Sequence, residues 1–235
     1  MSKKLAAVRS GDVMQGNRND LVAGVLSLLL LWTGVGALHA AAAEPPVLGR
    51  FERQIDGLDE SRAIALRPNG AVVVVDAQGR IGASEATDAA TPPPTGGCID
   101  LAIDGQDRWF LLGPRSVQRR DAGEDLVWST EIGGRAVGSG GVLVWVVDEL
   151  GKLHGLDLET GELRQVGQSV YPGCRGIVGL PDGGAWLADT DRHRLVRIDA
   201  TGAEVRAIGD RGAFPGLFNT PVDLAVAGDR LFVAD

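Results

Sequence analysis

The chain has 235 residues, 34 of them glycine, and a net charge of −8 at pH 7. Glycine at roughly twice its usual share favours a turn-dense β protein. Nucleic acid is not expected as a partner, because phosphate binding depends on a basic surface.

The N-terminal 43 residues have the three parts of a secretory signal. Residues 1–20 are polar and mildly basic, residues 21–43 contain no Asp, Glu, Lys or Arg, and alanines accumulate at the end. This order predicts export to the periplasm or cell envelope, with cleavage after Ala42 or Ala43. The alternative is an uncleaved membrane anchor, since residues 21–43 are long enough to span a bilayer as a helix. Met14 is an alternative start.

A linker at 44–48 leads to a segment at 49–55 that has the pattern of an isolated strand. Beyond it, one short pattern recurs, in which three apolar residues precede an Asp or a Gly. The intervals between these markers are roughly 35 to 46 residues, the length of one four-stranded propeller blade. The markers are Asp76, Gly113, Asp148, Asp189 and Asp235.

The recurring pattern predicts an all-β fold, a β-propeller preceded by one N-terminal hydrophobic helix. The propeller is expected to occupy residues 49–235 as four blades and half of a fifth, so the ring is incomplete. The sequence is therefore interpreted as a fragment, or as a chain whose remaining strands come from elsewhere. The blades are expected at about 56–90, 97–130, 131–168, 173–209 and, in part, 218–235.

Two stretches carry a family resemblance. Phe218-Asn-Thr-Pro and the Leu231-Phe-Val-Ala-Asp strand after it resemble the NHL repeat, as does Trp186-Leu-Ala-Asp followed by His193-Arg-Leu. Arg192 stands where that repeat usually has Asn, and the earlier repeats keep only the strand pattern. The resemblance implies a β-propeller, most often six-bladed in this group.

Two structural roles follow from this recurring pattern. Its large apolar residue should turn into the space between adjacent blades, because side chains alternate along a strand. The Asp that ends the pattern should cap the following turn through a hydrogen bond from backbone N–H. The predicted blade-core residues are Val73, Phe110, Trp145, Trp186 and Phe232, and the predicted turn-capping residues are Asp76, Asp148, Asp189 and Asp235.

Charged residues recur at the start of the innermost strand of each blade, which borders the mouth of a central channel. Their convergence would form a polar pocket for a small anionic or zwitterionic ligand or a peptide end. Alternatively, these charges satisfy one another as structural ion pairs. The predicted ligand-binding residues are Arg62, Asp100, Arg135, Arg175 and Asp223.

The two cysteines, Cys98 and Cys174, occupy the same register in blades two apart. Export would ordinarily suggest a disulfide. Equivalent positions two blades apart on a six-fold ring are separated by more than the roughly 7 Å Cα limit for a bridge. Both are therefore predicted to be unpaired.

Two classes of function remain open. The first is an exported binding or scaffold module for a peptide, a protein or a small polar ligand, without a cofactor or a metal site. The second is a metal-dependent enzyme, which would need a divalent cation. Among NHL-like propellers, amidating lyases hold zinc through channel histidines, whereas the exported part has only His154 and His193. Lactonase-like propellers use Glu, Asn and Asp, to which Asp100 and Asp223 would contribute.

Overall fold

A computed structural model describes residues 4–8, 13–17, 61–83, 96–122 and 125–235. Within these residues the secondary structure consists of β-strands and one short 3-10 helix, Thr190–Arg192. The helix predicted within residues 21–43, the linker and the strand predicted at 49–55 lie outside the described residues.

Strands form where apolar and β-branched residues run between Gly- and Asp-containing turns. In chain order they are β1 Lys4–Val8, β2 Val13–Asn17, β3 Ser61–Leu66, β4 Val72–Asp76, β5 Ile81–Ala83, β6 Asp100–Ile103, β7 Arg108–Leu112, β8 Val117–Asp121, β9 Asp125–Thr130, β10 Ala136–Gly140, β11 Leu143–Val147, β12 Lys152–Asp157, β13 Leu163–Val170, β14 Cys174–Gly179, β15 Ala185–Asp189, β16 Arg194–Ile198, β17 Glu204–Ile208, β18 Asp223–Ala227 and β19 Arg230–Ala234.

These strands form five antiparallel sheets that follow one another along the chain. The first is β3-β4-β5, the second β6 to β9, the third β10 to β13, the fourth β14 to β17, and the fifth β18-β19-β1-β2. The first strand of each sheet contacts the first strand of the next, in the order β3, β6, β10, β14, β18. These five inner strands all begin at one end of the sheets, which we call the upper face.

The fifth sheet contains strands from both ends of the sequence. Strand β1 pairs with β19, with Leu5 opposite Ala234, and β2 pairs with β1. Cleavage after Ala42 or Ala43 would remove both N-terminal strands. This pairing and the predicted cleavage therefore exclude each other in one molecule.

The predicted blade-core register lies between adjacent sheets. Val73, Phe110 and Trp145 are completely buried, whereas Trp186 and Phe232 are partly buried. Phe110, Trp145 and Trp186 each pack towards the following sheet. Phe110 packs with residues of β11, Trp145 with residues of β14 to β16, and Trp186 against the cluster shared by the fourth and fifth sheets.

The carboxylates at the ends of the second strands do not all have the predicted role. The Oδ1 atoms of Asp76 and Asp148 each accept hydrogen bonds at 2.9 Å from two backbone N–H groups, two and four residues further along the chain. These two side chains cap the tight turn that follows them.

Asp189 and Asp235 differ from that pattern. A 3-10 helix follows Asp189 in place of the tight turn. The Oδ2 atom of Asp189 accepts hydrogen bonds from Arg194 Nε at 2.9 Å and from Arg192 at 3.1 Å. The carboxylate of Asp235 accepts the backbone N–H of Asn219 and of the residue after it. It therefore holds the segment that leads into β18.

Candidate functional site

The five residues predicted at the channel mouth all lie near the upper ends of inner strands. Asp100 and Asp223 are the first residues of β6 and β18, and Arg135 immediately precedes β10. Arg62 and Arg175 are each the second residue of their strand. Since successive inner strands contact one another, this placement brings the five to one face without bringing all of them into one site.

Asp100 and Asp223 form the acidic part of this face. Asp100 Oδ1 accepts the Leu101 N–H at 2.9 Å, and its Oδ2 accepts the Val137 N–H of the next sheet at 2.8 Å. Burial, together with the nearby charge of Asp223, raises the pKa of Asp100 to about 7, although its two backbone hydrogen bonds oppose the shift. Asp100 is therefore partly protonated at neutral pH.

The three arginines have different environments. The Arg135 guanidinium donates to the carbonyl oxygens of Glu149 and Pro172 and pairs with the Glu149 carboxylate at 3.2 Å. It ties the upper turn of the third sheet to the segment before β14, which is a structural role. Arg62 and Arg175 are exposed. Among the residues that the structure describes, none forms an ion pair or side-chain hydrogen bond with Arg175.

Arg175 lines a pocket of about 490 Å³ between the fourth and fifth sheets. The pocket is on the upper face, where the 3-10 helix of the fourth sheet meets the segment entering β18. A cleft with a few polar groups and one guanidinium suits a small polar ligand or part of a peptide. Its lining residues are Arg175, Thr190, Asp191, His193, Thr220 and Val222.

The wall of this pocket is fixed by hydrogen bonds between the two sheets. The Thr190 hydroxyl donates to the Pro221 carbonyl oxygen at 2.5 Å. His193 has a left-handed backbone with φ of 54° and donates its N–H to the Thr190 carbonyl oxygen at 3.1 Å. Its Nδ1 lies within hydrogen-bonding distance of the Asn219 carbonyl oxygen. If Nδ1 donates a hydrogen bond to this oxygen, the neutral ring has its unprotonated nitrogen at Nε2, which can then accept a hydrogen bond.

Of the five predicted residues, only Arg175 lines this pocket. The sequence analysis did not assign Thr190, Asp191 or Thr220 to a site, and it considered His193 only as one of two histidines available for zinc. The available signal was the Asp189 marker, after which a Thr-Asp-Arg-His segment replaces the Gly-containing turn found after Asp76 and Asp148.

The structure is similar to the solved structure of a streptogramin B lyase, with a TM-score of 0.52 at 12% sequence identity. The match covers 72% of this chain and 60% of the lyase chain, so this chain spans about three fifths of the lyase's length. The fold is a β-propeller. No protein-family model and no curated protein matches this sequence, so membership of the NHL family stays a prediction.

In this propeller the two cysteines are free, buried thiols, with Cys98 two residues before the inner strand β6 and Cys174 the first residue of the inner strand β14. Cys98 Sγ contacts the Asp100 carbonyl oxygen at 3.3 Å, and Cys174 Sγ contacts that of Gly176 at 3.4 Å. Burial raises the pKa of each thiol to about 12. Both are therefore protonated and unreactive in the folded protein.

The described part of the propeller holds no group of three or more His, Cys, Asp or Glu side chains arranged to bind a metal ion. Within the same residues there is no helix with the length and apolar character to cross a membrane. The predicted membrane segment at 21–43 lies outside them.

Proposed function

We propose that this propeller is a binding module whose pocket between the fourth and fifth sheets takes a ligand through a carboxylate group. The observation that carries the proposal is the position of Arg175, whose exposed guanidinium lines the pocket without a partner among the described residues. Its counterpart Arg135 is held by Glu149 and Pro172. A guanidinium without a protein partner is suited to two parallel hydrogen bonds with a carboxylate.

The other groups in the pocket favour a polar rather than a purely anionic ligand. Asp191 brings a negative charge, Thr220 brings a hydroxyl group, and His193 brings an imidazole. A ligand whose carboxylate is bound to Arg175 would place its own neighbouring amide N–H groups near these oxygen and nitrogen acceptors. Small polar molecules and peptides both have this chemistry. The export predicted from residues 1–43 would present the pocket outside the cytoplasm.

The test uses isothermal titration with two probes, disodium glutarate and a blocked nonapeptide that contains one glutamate. We expect the wild-type protein to bind at least one probe and Arg175→Gln to bind it at least tenfold more weakly, because a hydrogen bond to a charged group contributes roughly 1.5–3 kcal/mol. The matched control is Arg206→Gln, on the exposed outer strand of the same sheet. Equal binding by Arg175→Gln and the wild type, or no binding of either probe, would overturn the proposal.

The competing function is a metal-dependent enzyme, of a lyase or lactonase type. The observation in its favour is that Asp100 and Asp223 on separate inner strands are near enough to interact electrostatically. The binding proposal expects EDTA to leave probe affinity unchanged. Stoichiometric zinc, calcium or magnesium in the purified protein, with loss of affinity in EDTA, would favour the enzyme instead.

A further inference from the structure

The loop that supplies Thr220 and Val222 to the pocket also presents an exposed aromatic side chain. This loop joins β17 to β18, and Phe214 within it is 76% exposed. Its base is closed by hydrogen bonds from Phe218 N to the Asp210 carbonyl oxygen at 2.9 Å and from Gly212 N to the Phe218 carbonyl oxygen at 3.0 Å. Phe218 is itself buried between the fourth and fifth sheets. The fold therefore holds Phe214 away from the core.

A second exposed apolar side chain belongs to the third sheet, which adjoins the fourth sheet on the side away from the pocket. Leu150, in the upper turn between β11 and β12, is 77% exposed. This turn is fixed to the segment that leads into β14, because Tyr171 N donates to the Gly151 carbonyl oxygen at 2.7 Å. The clamp by Arg135 across Glu149 and Pro172 holds the same junction.

In the order of the sheets, Arg175 thus lies between two apolar positions on the upper face. On one side, Tyr171 precedes Arg175 by four positions in the chain and is hydrogen-bonded to the turn that contains Leu150. On the other, Thr220 and Val222 line the pocket and belong to the loop that presents Phe214. Four residues of extended chain span at most about 14 Å, so Phe214 cannot lie further than that from the buried Phe218.

We propose that the upper face binds an extended peptide segment in which one acidic side chain is flanked on both sides by apolar side chains. The acidic group would pair with Arg175, and the apolar groups would cover Leu150 and Phe214. This inference rests on the proposed function and names the class of ligand. Single exposed apolar residues are common, but two on ordered backbone on opposite sides of a guanidinium without a described partner match one ligand pattern.

The geometry of an extended chain sets the spacing. Alternate residues of a strand point to the same side, so residues i−2, i and i+2 or i−4, i and i+4 can face one surface together. A nine-residue segment spans about 30 Å at most, which is sufficient to cross the pocket and both flanks. An acidic residue at the centre and leucines two and four positions away on each side therefore make a suitable probe.

The experiment measures fluorescence polarisation with four labelled nonapeptides, of which the first three are blocked at both ends. The first has a central glutamate and the flanking leucines, the second replaces glutamate by glutamine, and the third replaces the leucines by serine. A fourth keeps the leucines, has no acidic side chain and ends in a free carboxylate. We expect the first to bind most tightly, with each of the other three weaker by roughly fivefold to thirtyfold.

Variants of the protein provide the second half of the test. Leu150→Ser and Phe214→Ser should each weaken the first peptide by roughly fivefold or more and leave the affinity for the serine-flanked peptide unchanged. The control is Val142→Ser, which changes a 68% exposed valine at the opposite end of the third sheet. It should leave all affinities unchanged, and circular dichroism would verify that each variant is folded.

Several outcomes would overturn this inference while the proposed function stands. One is Arg175-dependent binding of glutarate or of the glutamate peptide that neither Leu150→Ser nor Phe214→Ser alters. Another is equal or tighter binding of the peptide with the free C-terminal carboxylate, which would identify a peptide end as the ligand. Binding that does not depend on Arg175 would instead overturn the proposed function itself.

Discussion

The carboxylate of Asp100 accepts the backbone N–H of Val137 at 2.8 Å and so joins the inner strand of the second sheet to that of the third. A residue that the sequence suggested for ligand binding is therefore part of the contact between two blades. The charge of Asp223, three sheets further along the chain, contributes to raising the pKa of Asp100. This relationship couples protonation at the centre of the propeller to its stability.

Stability should decrease as pH rises through neutrality. The pKa of Asp100 is about 7 in the folded protein and about 4 in an unfolded chain, so the folded state binds the proton more tightly. The contribution of this proton to stability is complete below about pH 4 and is lost as pH rises through 7.

In Asp223→Asn the pKa of Asp100 should fall, which would move this loss of stability to lower pH. Urea unfolding between pH 5 and 8 measures it, with Asp229→Asn at the far end of the same hairpin as control. An identical profile for Asp223→Asn and the wild type would contradict the assignment.

A methyl group at position 176 should separate the fourth and fifth sheets. A Cβ there would lie 2.7 Å from the Asp223 Cα and 2.9 Å from the Val222 carbonyl oxygen, and both belong to backbone that cannot rotate away. We expect Gly176→Ala to lower the free energy of unfolding by about 1–3 kcal/mol. Gly105→Ala, where a Cβ meets nothing within 4 Å, should be nearly neutral. Equal stability of the two variants in urea would contradict this packing.

Replacement of Trp145 should be among the most damaging changes to the core. Its side chain is completely buried, and its Nε1 donates to the Gly183 carbonyl oxygen at 2.8 Å. Trp145→Ala is expected to cost about 3–5 kcal/mol by creating a cavity. Trp186→Ala, at the equivalent position of the next sheet, should cost less because Trp186 is only partly buried. Guanidinium unfolding would show the order, and a larger loss for Trp186→Ala would reverse it.

Both thiols should be inaccessible in the folded protein and free after unfolding. Cys98 and Cys174 are buried, and burial raises the pKa of each thiol to about 12. We expect no reaction with Ellman's reagent under native conditions and two equivalents in guanidinium without a reductant. No released thiol after unfolding would reveal a disulfide and would show that the blade register is wrong.

The N-terminus of the mature protein will decide between two arrangements of the fifth sheet. If the signal predicted at 1–43 is cleaved, the mature chain begins at Ala43 or Glu44, which intact-mass measurement of the purified protein would detect. Leucine replacement of Ala40 to Ala43 should block this processing. A mature chain that keeps residues 4–17 would instead favour the pairing of β1 with β19.

The sequence by itself determined the all-β propeller, because the signals that specify a blade are local. The run Val72–Asp76, for example, is an apolar strand that ends in a carboxylate, with a glycine at φ of 77° three residues beyond it. Alternation and turn chemistry act between near neighbours, so they can be read without the rest of the fold. The same register also identified Phe110 and Trp145, which the structure buries between sheets.

Only the tertiary structure distinguished residues that the sequence made equivalent. Arg135 lies immediately before the inner strand of the third sheet, and Arg175 is the second residue of the inner strand of the fourth. Arg135 is nevertheless held by Glu149 and Pro172, whereas Arg175 lines a pocket. The difference lies in groups that are distant in the sequence. Arg135 is held by Glu149, 14 residues further along in a turn of the same sheet, and by Pro172, 37 residues further along before the next sheet. Whether an arginine pairs within the protein or faces a pocket depends on such distant groups, and a local sequence pattern does not encode them.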